Sequence, residues 1–244
     1  IDCDVETFIH GAMCVSVSGR CLLSEHTFHK SANRGKCVQP CRREYVIKDT
    51  RGESEYIIGK DYVLSPKDLC TIMFIDKLID AGIHSFKIEG RIRSSEYVKE
   101  TVRVYRSALD AYCEGKLTEL FKKSLYKKLQ EFYNRGFSNG FYLGGPKEWY
   151  SRDLENEYEK VFIGTVEKYY PKIGVAEVVL SNGGIVLGDK VLFLGKSTQA
   201  EFIIVEEMQI RNRFIERAEK GAAVGIKVPF AVKSKDKLFA WKRV

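Results

Sequence analysis

The sequence predicts an α/β portion followed by a small closed β-barrel, and three observations lead to this prediction. All seven cysteines lie between Cys3 and Cys113, and five of them lie at or before Cys41. A helix–strand–helix succession occupies residues 65–113, as in α/β proteins. From Val161 onward, short β-branched runs alternate with Gly, Asn and Lys turns, which is typical of a small antiparallel barrel. We therefore expect two domains, at residues 1–150 and 158–244.

The composition is that of a folded protein. Of the 244 residues, 44% are hydrophobic and 30% are charged, which excludes disordered, collagen-like and low-complexity architectures. No stretch approaches the roughly 18–20 apolar residues that a membrane span needs. The net charge of +7 admits nucleic acid or another anionic partner without requiring one. Because residue 1 is Ile rather than Met, we expect the sequence to be a piece of a longer protein.

The segment from residue 1 to residue 60 is rich in loops and carries short strand signals. Residues 6–11 are consistent with the end of a strand. Residues 44–47 and 56–58 predict a hairpin, because the turn residues 50–52 lie between them.

A first helix is expected from Ser65 to Gly82. Ser65 is a good N-cap, Pro66 suits the first helical position, and Asp68 completes a pattern that resembles a capping box. Apolar residues recur at helical spacing between Leu69 and Ile79, and Gly82 favours a left-handed C-cap.

The chain then predicts one strand and two further helices. Residues 83–88 form the strand. Ser94 or Ser95 caps the second helix, whose apolar residues step by three and four as far as Tyr112. The third helix is expected from about residue 118 to 134.

The last third of the sequence predicts the barrel. Its strands are expected at Val161–Val166, Val175–Val179, Lys190–Leu194, Glu201–Val205 and Val224–Val228. Residues 160–244 contain 15 Lys and Arg against nine Asp and Glu, so most of the net positive charge lies in this part.

Four cysteines form a dense cluster in the sequence, in the pattern Cys14-x6-Cys21-x15-Cys37-x3-Cys41. Disulfides would require a secreted protein. Structural zinc is the usual explanation, although only the last pair has the short spacing that zinc sites prefer. A [4Fe–4S] cluster accepts wider and less regular spacing, and buried, unrelated cysteines are the fourth alternative.

The other three cysteines are interpreted differently. Cys70 and Cys113 lie in helical patterns and are consistent with ordinary core residues, while Cys3 is undecided.

Several ordered motifs resemble those of peptidase family U32, the collagenase-like family. They are residues 6–24, Asn33-Arg34-Gly35-Lys36-Cys37-x3-Cys41-Arg42, Ser65–Leu69, Lys87–Arg91, Tyr97, Tyr105-Arg106 and Arg135–Phe137. They follow one another in the family's order along more than half of the chain. The resemblance implies the C-terminal portion of a TIM-like barrel with a Cys-rich insertion, followed by a small β-barrel resembling domain two of elongation factors.

The resemblance also implies a function in RNA modification. Members of the family hydroxylate the tRNA wobble uridine or a ribosomal RNA cytidine, and the tRNA type depends on prephenate. The implied cofactor is a [4Fe–4S] cluster held by Cys14, Cys21, Cys37 and Cys41, with Cys70 as the alternative fourth ligand and zinc as the alternative metal. The implied partners are tRNA or rRNA and a carboxylated, prephenate-like cosubstrate, with no membrane, in a cytoplasmic protein.

Lys87, Glu89 and Arg91 are the candidate catalytic residues. In TIM-like barrels the active-site groups lie at the carboxyl ends of strands, and these residues alternate on one face of such a strand end. Lys87 and Arg91 would bind an anion, and Glu89 would orient them. The alternative is a salt-bridged strand end without a catalytic role.

Two candidate RNA contacts carry positive charge. Residues 31–48 have a net charge of +4. Tyr169 and Tyr170 lie beside Lys168 and Lys172 and could stack on bases, although solvated residues at a hairpin tip are the simpler interpretation.

Two other functions compete with RNA hydroxylation. One is a collagenase-like peptidase, as the family was first labelled. Only four histidines exist, and no metalloprotease or serine-hydrolase motif is present. A dyad of His10 with Cys14 is conceivable, but a structural His10 is the better interpretation. The other is a non-catalytic RNA-binding fragment.

Overall fold

Helices and strands are divided unevenly between two units of the chain. A computed structural model describes residues 3–16, 20–52, 54–58, 64–132, 134–145 and 157–243. One unit comprises Ile1–Arg93 with Glu100–Glu155, and the other comprises Ser94–Lys99 with Asn156–Val244. The fold is therefore mixed α/β in the first unit and almost entirely β in the second. Residues 17–19 of the first sequence motif lie outside the described ranges.

The first unit contains most of the helices. Its strands are β1 (Glu6–Gly11), β2 (Tyr45–Lys48), β3 (Glu55–Ile58), β4 (Asp68–Cys70), β5 (Ser85–Glu89) and β6 (Phe137–Ser138). Its helices are α1 (Leu23–Phe28), α2 (Ile75–Asp80), α3 (Ser95–Cys113, whose first turn belongs to the second unit) and α4 (Glu119–Gln130). Short 3-10 helices occupy Ala32–Arg34, Pro40–Arg42 and Ile72–Phe74.

Four of these strands form a mixed sheet in the order β5-β1-β4-β6. β1 pairs in parallel with β5 and antiparallel with β4, and β4 pairs in parallel with β6. The core packs around fully buried Ile9, Ile72 and Ala108. Parallel pairing of β1 with β5 brings together residues that lie 79 positions apart in the sequence.

The helix predicted from Ser65 is wrong in its first half. Asp68–Cys70 is a strand, and the α-helix begins only at Ile75. Asp68 donates its backbone N–H to the carbonyl of Gly136 and pairs with Phe137. Tertiary strand pairing on both sides of β4 therefore overrides the helical spacing of its apolar residues.

Other local predictions are confirmed. β2 and β3 form the expected hairpin, with Tyr45 opposite Ile58. The predicted third helix corresponds to α4, where the Thr118 side chain accepts the N–H of Phe121 as an N-cap. α4 ends at Gln130, earlier than the expected end near residue 134.

The second unit is built on a large antiparallel sheet. Its strands are β7 (Tyr158–Tyr170), β8 (Val175–Leu180), β9 (Ile185–Val186), β10 (Lys190–Leu194), β11 (Glu201–Ile204), β12 (Met208–Ile210), β13 (Arg213–Phe214), β14 (Arg217–Ala218), β15 (Ala223–Lys227) and β16 (Lys237–Arg243). Eight of them run in the order β11-β10-β16-β7-β8-β15-β12-β13, and β9 pairs with β14.

The sheet curls around one apolar core. Val178, Phe193, Val224 and Leu238 come from four strands and are fully buried in the same cluster. The five strands predicted in this region are present. β16 lies in the middle of the sheet, although the sequence did not predict it. No strand ladder in the described ranges joins β11 to β13, so a closed barrel stays a prediction.

Among the helices in the described ranges, none is long and apolar enough to cross a membrane.

Candidate cysteine and arginine site

The four clustered cysteines lie on loops and 3-10 turns of the first unit, and two hydrogen bonds connect their neighbours. Arg42, next to Cys41, donates from Nη2 to the carbonyl of Met13 at 3.1 Å. The backbone N–H of Val38, next to Cys37, donates to Oγ of fully buried Ser24 at 3.1 Å. The first bond joins the segments of Cys14 and Cys41, and the second joins the helix after Cys21 to Cys37.

The other three clustered cysteines act on the pKa of Cys41. Burial raises the pKa of the Cys41 thiol, the Arg42 guanidinium lowers it, and the charges of Cys37, Cys14 and Cys21 raise it further. All three other cysteines therefore lie within electrostatic range of Cys41. None of the four forms a disulfide.

Backbone donors already point at two of the sulfur atoms. The N–H of Ser16 lies 3.4 Å from Sγ of Cys14, and the N–H of Gln39 lies 3.3 Å from Sγ of Cys37. Such N–H···S bonds stabilise thiolates and tune the reduction potentials of iron–sulfur clusters.

The four thiols do not form a compact site for a single metal ion. Within the described ranges, no group of three or more His, Cys, Asp or Glu side chains is arranged to hold a metal ion. The four thiols thus share one region without closing to a single-ion geometry. Nε and Nη1 of Arg42 are buried and donate to no acceptor in the described structure. A buried guanidinium beside four thiols favours an anionic group in that space.

Cys70, the alternative fourth ligand, has a different environment. It is only 5% exposed, it lies on β4, and the Tyr105 hydroxyl is 3.8 Å from its Sγ. Burial raises the pKa of its thiol to about 12. Its surroundings therefore favour a neutral core thiol over a thiolate ligand.

A buried ionic network lies beside the cysteine segment. Asp68 is fully buried, and its carboxylate contacts Arg93 Nη2 at 2.5 Å and Arg135 Nη1 at 3.3 Å. Burial raises the pKa of Asp68, and the charges of Arg93 and Arg42 oppose that effect. The charge of Arg42 thus lowers the pKa values of both Asp68 and Cys41.

Lys87, Glu89 and Arg91 do not meet at one point. Lys87 forms a salt bridge with Glu6 at 3.1 Å and lies over the Phe8 ring, which supports the salt-bridged alternative for this residue. Glu89 accepts the backbone N–H of Arg91 at 2.8 Å, as in a turn that ends a strand.

The Arg91 side chain instead approaches the cysteine segment. A Cβ placed on Gly35 would lie 4.0 Å from Nη1 of Arg91, and Gly35 is two residues before Cys37. The structure therefore places Arg91 beside Gly35 of the cysteine segment, whereas Lys87 pairs with Glu6. Ile92, the next residue, has a positive φ of 62°, which a β-branched residue adopts only under strain.

His10 is part of the core. It is 1% exposed, and its Nδ1 lies 3.3 Å from the hydroxyl of Tyr105. Burial, with a smaller effect from Arg93, lowers the pKa of His10 to about 3. This environment agrees with the structural interpretation of His10 and not with a catalytic dyad.

The roles of Asp68, Arg93 and Arg135 do not follow from the sequence alone. The sequence predicts Asp68 as part of a helix cap and gives no partner for the two arginines. A signal was available, because Asp68 and Arg135 lie in motifs that resemble the family, although only the fold shows that they meet.

Comparisons with known proteins agree with the motifs. The model of "Peptidase family U32" matches residues 1–151. A Porphyromonas gingivalis protein named collagenase is 41% identical over 98% of this chain and 58% of its own length. The tRNA hydroxylation protein P1 of Bacillus subtilis is 39% identical over 69% of this chain and 42% of its own length.

Two further matches cover smaller parts. The Escherichia coli 23S rRNA 5-hydroxycytidine synthase is 45% identical over 46% of this chain and 17% of its own length. A solved U32-family C-terminal domain from Geobacillus thermoleovorans covers 33% of this chain and 91% of its own, at 23% identity and a TM-score of 0.31.

The chain spans about 58–66% of the length of the two collagenase-named relatives. The family model covers more than half of the chain, and the chain belongs to peptidase family U32.

Proposed function

We propose that this chain serves RNA hydroxylation and holds a [4Fe–4S] cluster on Cys14, Cys21, Cys37 and Cys41. One observation carries the proposal: four free thiols gather beside a buried guanidinium whose Nε and Nη1 have no acceptor in the described structure. The names of the tRNA and rRNA hydroxylation relatives supply the substrate class.

In this proposal the chain provides the cluster with ligands and with compensating charge. The cluster supplies one-electron redox chemistry when it is bound. The N–H groups of Ser16 and Gln39 stabilise two of the thiolates, and Arg42 offsets their negative charge. Asp68 positions Arg93 and stabilises the cationic side chains around it. The neutral environment of Cys70 supports Cys41 as the fourth ligand.

Arg91 is the proposed anion-binding residue. Its side chain is exposed and lies beside the cysteine segment, while Glu89 fixes its backbone. A guanidinium binds a carboxylate through two parallel hydrogen bonds, which suits a carboxylated, prephenate-like cosubstrate. Lys87 stabilises the strand end through Glu6 and contributes to binding only through its charge.

For the substrate, we propose the tRNA wobble uridine. A base inside a folded RNA must be extruded before its ring carbon can react, and the RNA backbone needs a basic surface. The positive segment of residues 31–48 surrounds two of the four cysteines and supplies that charge beside the thiols.

The peptidase alternative is favoured by the collagenase name of a 41% identical relative. Its chemistry requires an activated nucleophile with a base whose pKa is near neutral, or a metal-bound water. His10 is buried, and its pKa of about 3 is far from that range. The surroundings of His10 therefore weigh against it as the base of a peptidase.

Anaerobic reconstitution of the chain with iron and sulfide tests the cluster. We expect about four irons per chain and a broad absorbance at about 400 nm for a cubane on four thiolates. Cys21→Ala should lose this absorbance, whereas Cys113→Ser, an exposed cysteine on α3, should keep it. Stoichiometric zinc with no iron would refute the cluster.

Nucleoside analysis tests the substrate. Cells that lack the gene should lose a hydroxylated uridine from tRNA, and the wild-type gene but not the Cys21→Ala gene should restore it. If tRNA and rRNA are unchanged in the deleted cells, the RNA assignment fails. Gelatin cleavage that survives in Cys21→Ala would support the peptidase instead.

For the fold, we propose that the first unit is part of a TIM-like barrel and that the second is similar to domain two of elongation factors. The parallel pairing of β1 with β5, and the helix α3 that follows β5, support the first proposal. The curled sheet around one core supports the second.

A further inference from the structure

The outer face of the second unit contains a groove that the proposed hydroxylation chemistry does not use. It has a volume of about 650 Å³, and β7, β8, β12 and β15 contribute to its walls. Along β8, Ala176, Val178 and Leu180 are fully buried in the core, whereas Val175 and Glu177 line the groove. The groove is therefore a surface feature of the sheet and not a defect in the core.

Small residues make the floor of the groove flat. Ala222, Ala223 and Gly225 line it. A Cβ on Gly225 would lie 3.1 Å from Cγ1 of Val175, so glycine keeps this position open. A flat group can therefore approach the backbone of β15 closely.

Tyr170 supplies an aromatic wall. Its hydroxyl donates to Glu177 at 2.8 Å, and the Lys168 ammonium lies 4.9 Å from its ring centroid. Both contacts fix the orientation of the ring. Tyr169, its neighbour, packs against the core instead, so only Tyr170 of the two predicted stacking residues faces the groove.

The opposite wall carries positive charge and an amide. Arg211 and Asn212 form the turn between β12 and β13, and both have positive φ angles, of 50° and 61°. Both side chains line the groove, and neither has a polar partner in the described part of the chain. Lys172 and Lys220, which adjoin the groove residues Ile173 and Gly221, are exposed and likewise form no salt bridge there.

The carboxylates near the groove do not cancel this charge. Glu177 accepts the hydroxyl of Tyr170, and Glu207 lies 3.3 Å from the amide nitrogen of Gln209. Both carboxylates keep their negative charge, but the cations Lys168, Lys172, Arg211 and Lys220 at or beside the groove outnumber them. The whole of residues 160–244 carries a net charge of +6. The occupant of the groove should therefore be an anion with flat, hydrogen-bonding rings.

We propose that this groove binds a segment of single-stranded RNA, with one base stacked on Tyr170 and the adjacent phosphates beside Arg211. Stacking on an aromatic ring combined with a cationic rim is the usual way in which proteins bind single-stranded nucleic acid. A duplex would keep its bases stacked inside the helix and out of reach of Tyr170. This inference goes beyond the hydroxylation proposal, because it assigns RNA binding to the second unit and does not require the cluster.

Fluorescence anisotropy with the full chain and a fluorescein-labelled 12-nucleotide uridine-rich RNA tests the site. Tyr170→Leu should weaken binding about 5-fold or more, since stacking contributes about 1–3 kcal/mol per base. Arg211→Asn should weaken binding and lower the slope of log affinity against log salt by about 0.7, as expected for one lost phosphate contact. Asn tolerates a positive φ, so this variant keeps the turn.

Lys196→Asn is the matched control. It removes the same charge from an exposed residue between β10 and β11, away from the groove. Its affinity should stay within about 2-fold of the wild type, because the lost charge lies outside the site. The proposal is overturned if wild-type chain does not bind the RNA, if Lys196→Asn and Arg211→Asn behave alike, or if a 12-base-pair RNA duplex binds as tightly as the single strand.

Competition with polyphosphate separates stacking from charge. Tyr170→Leu should leave the affinity for polyphosphate unchanged, and an equal loss for polyphosphate and RNA would refute stacking. Cys21→Ala should bind the RNA normally. A wild-type chain that binds the RNA but takes up no iron would refute only the cluster, and a wild-type chain that takes up iron but does not bind the RNA would refute only the groove.

Discussion

The interiors of the two units differ in kind. In the first unit, Asp68 and His10 are fully buried, and nearly buried Lys122 contacts Asp76 at 3.0 Å. In the second unit, 17 apolar residues form one cluster, and the buried carboxylate Asp236 accepts from a hydroxyl and a backbone N–H. Buried charges contribute little to stability but hold side chains in fixed positions. In our proposals, the first interior holds the side chains beside the cluster in place, and the second supports the groove on the surface of its sheet.

Asp68→Ala should give the largest effect. It removes the fully buried carboxylate that pairs with both Arg93 and Arg135, and we expect a loss of about 3–5 kcal/mol in the unfolding free energy of the first unit. Hydrogen exchange followed by mass spectrometry reports on the two units separately.

Asp236→Ala is the corresponding change in the second unit. It removes the acceptor of the Thr198 hydroxyl and of the Lys233 N–H, but it takes no carboxylate away from a buried cation. We therefore expect a loss of only about 1–3 kcal/mol in the unfolding free energy of the second unit. Equal losses from both variants would contradict the contrast between the two interiors.

The buried His10 should make the first unit sensitive to acid. Its pKa is about 3 in the folded state against 6.5 unperturbed, so between these values the unfolded chain binds a proton that the folded chain does not. The contribution of the neutral His10 to the unfolding free energy is therefore fully present above pH 6.5. It falls by about 1.4 kcal/mol per pH unit as the pH is lowered from 6.5 toward 3. Urea unfolding at pH 7, 6 and 5 measures this slope.

His10→Gln should reduce the slope, whatever its effect on stability at pH 7. The control is His84→Gln, which changes an exposed histidine in the same unit and should leave the slope unchanged. A wild-type slope in His10→Gln would show that other groups cause the acid sensitivity.

Ile163→Val tests the apolar core and should give the smallest effect. Ile163 is 1% exposed in the second unit, and loss of one methyl group should cost about 1 kcal/mol. Ile204→Val, at a residue that is 51% exposed, should cost less than about 0.5 kcal/mol. Hydrogen exchange of both units should be followed in Ile163→Val. If exchange in the first unit accelerates as well, the two units unfold together and the comparison between them fails.

Much of the local structure could be predicted from the sequence. The start of α4, the apolar period of α3 and the β2–β3 hairpin follow from interactions between near neighbours. The spacing of the four cysteines predicts a shared metal site, with zinc and an iron–sulfur cluster both possible, and only the resemblance to a family favours the cluster.

Features that depend on distant residues could not be predicted. β4 has a helical apolar spacing but pairs with strands from both ends of the unit. The two arginines around Asp68 lie 25 and 67 positions away from it. In β16, Leu238 and Ala240 are buried at alternate positions, but lysines flank this short apolar pattern. The place of β16 between β10 and β7 depends on the pairing of the whole sheet.

The central place of β16 has a consequence for synthesis of the protein. β7 and β10 are its two neighbours, and they are translated long before residues 237–243. Until then both strands present open hydrogen-bonding edges, which are sites of aggregation. The second unit can therefore complete its sheet only after nearly all of its residues have left the ribosome, and a nascent chain that stalls before β16 is a natural client for chaperones.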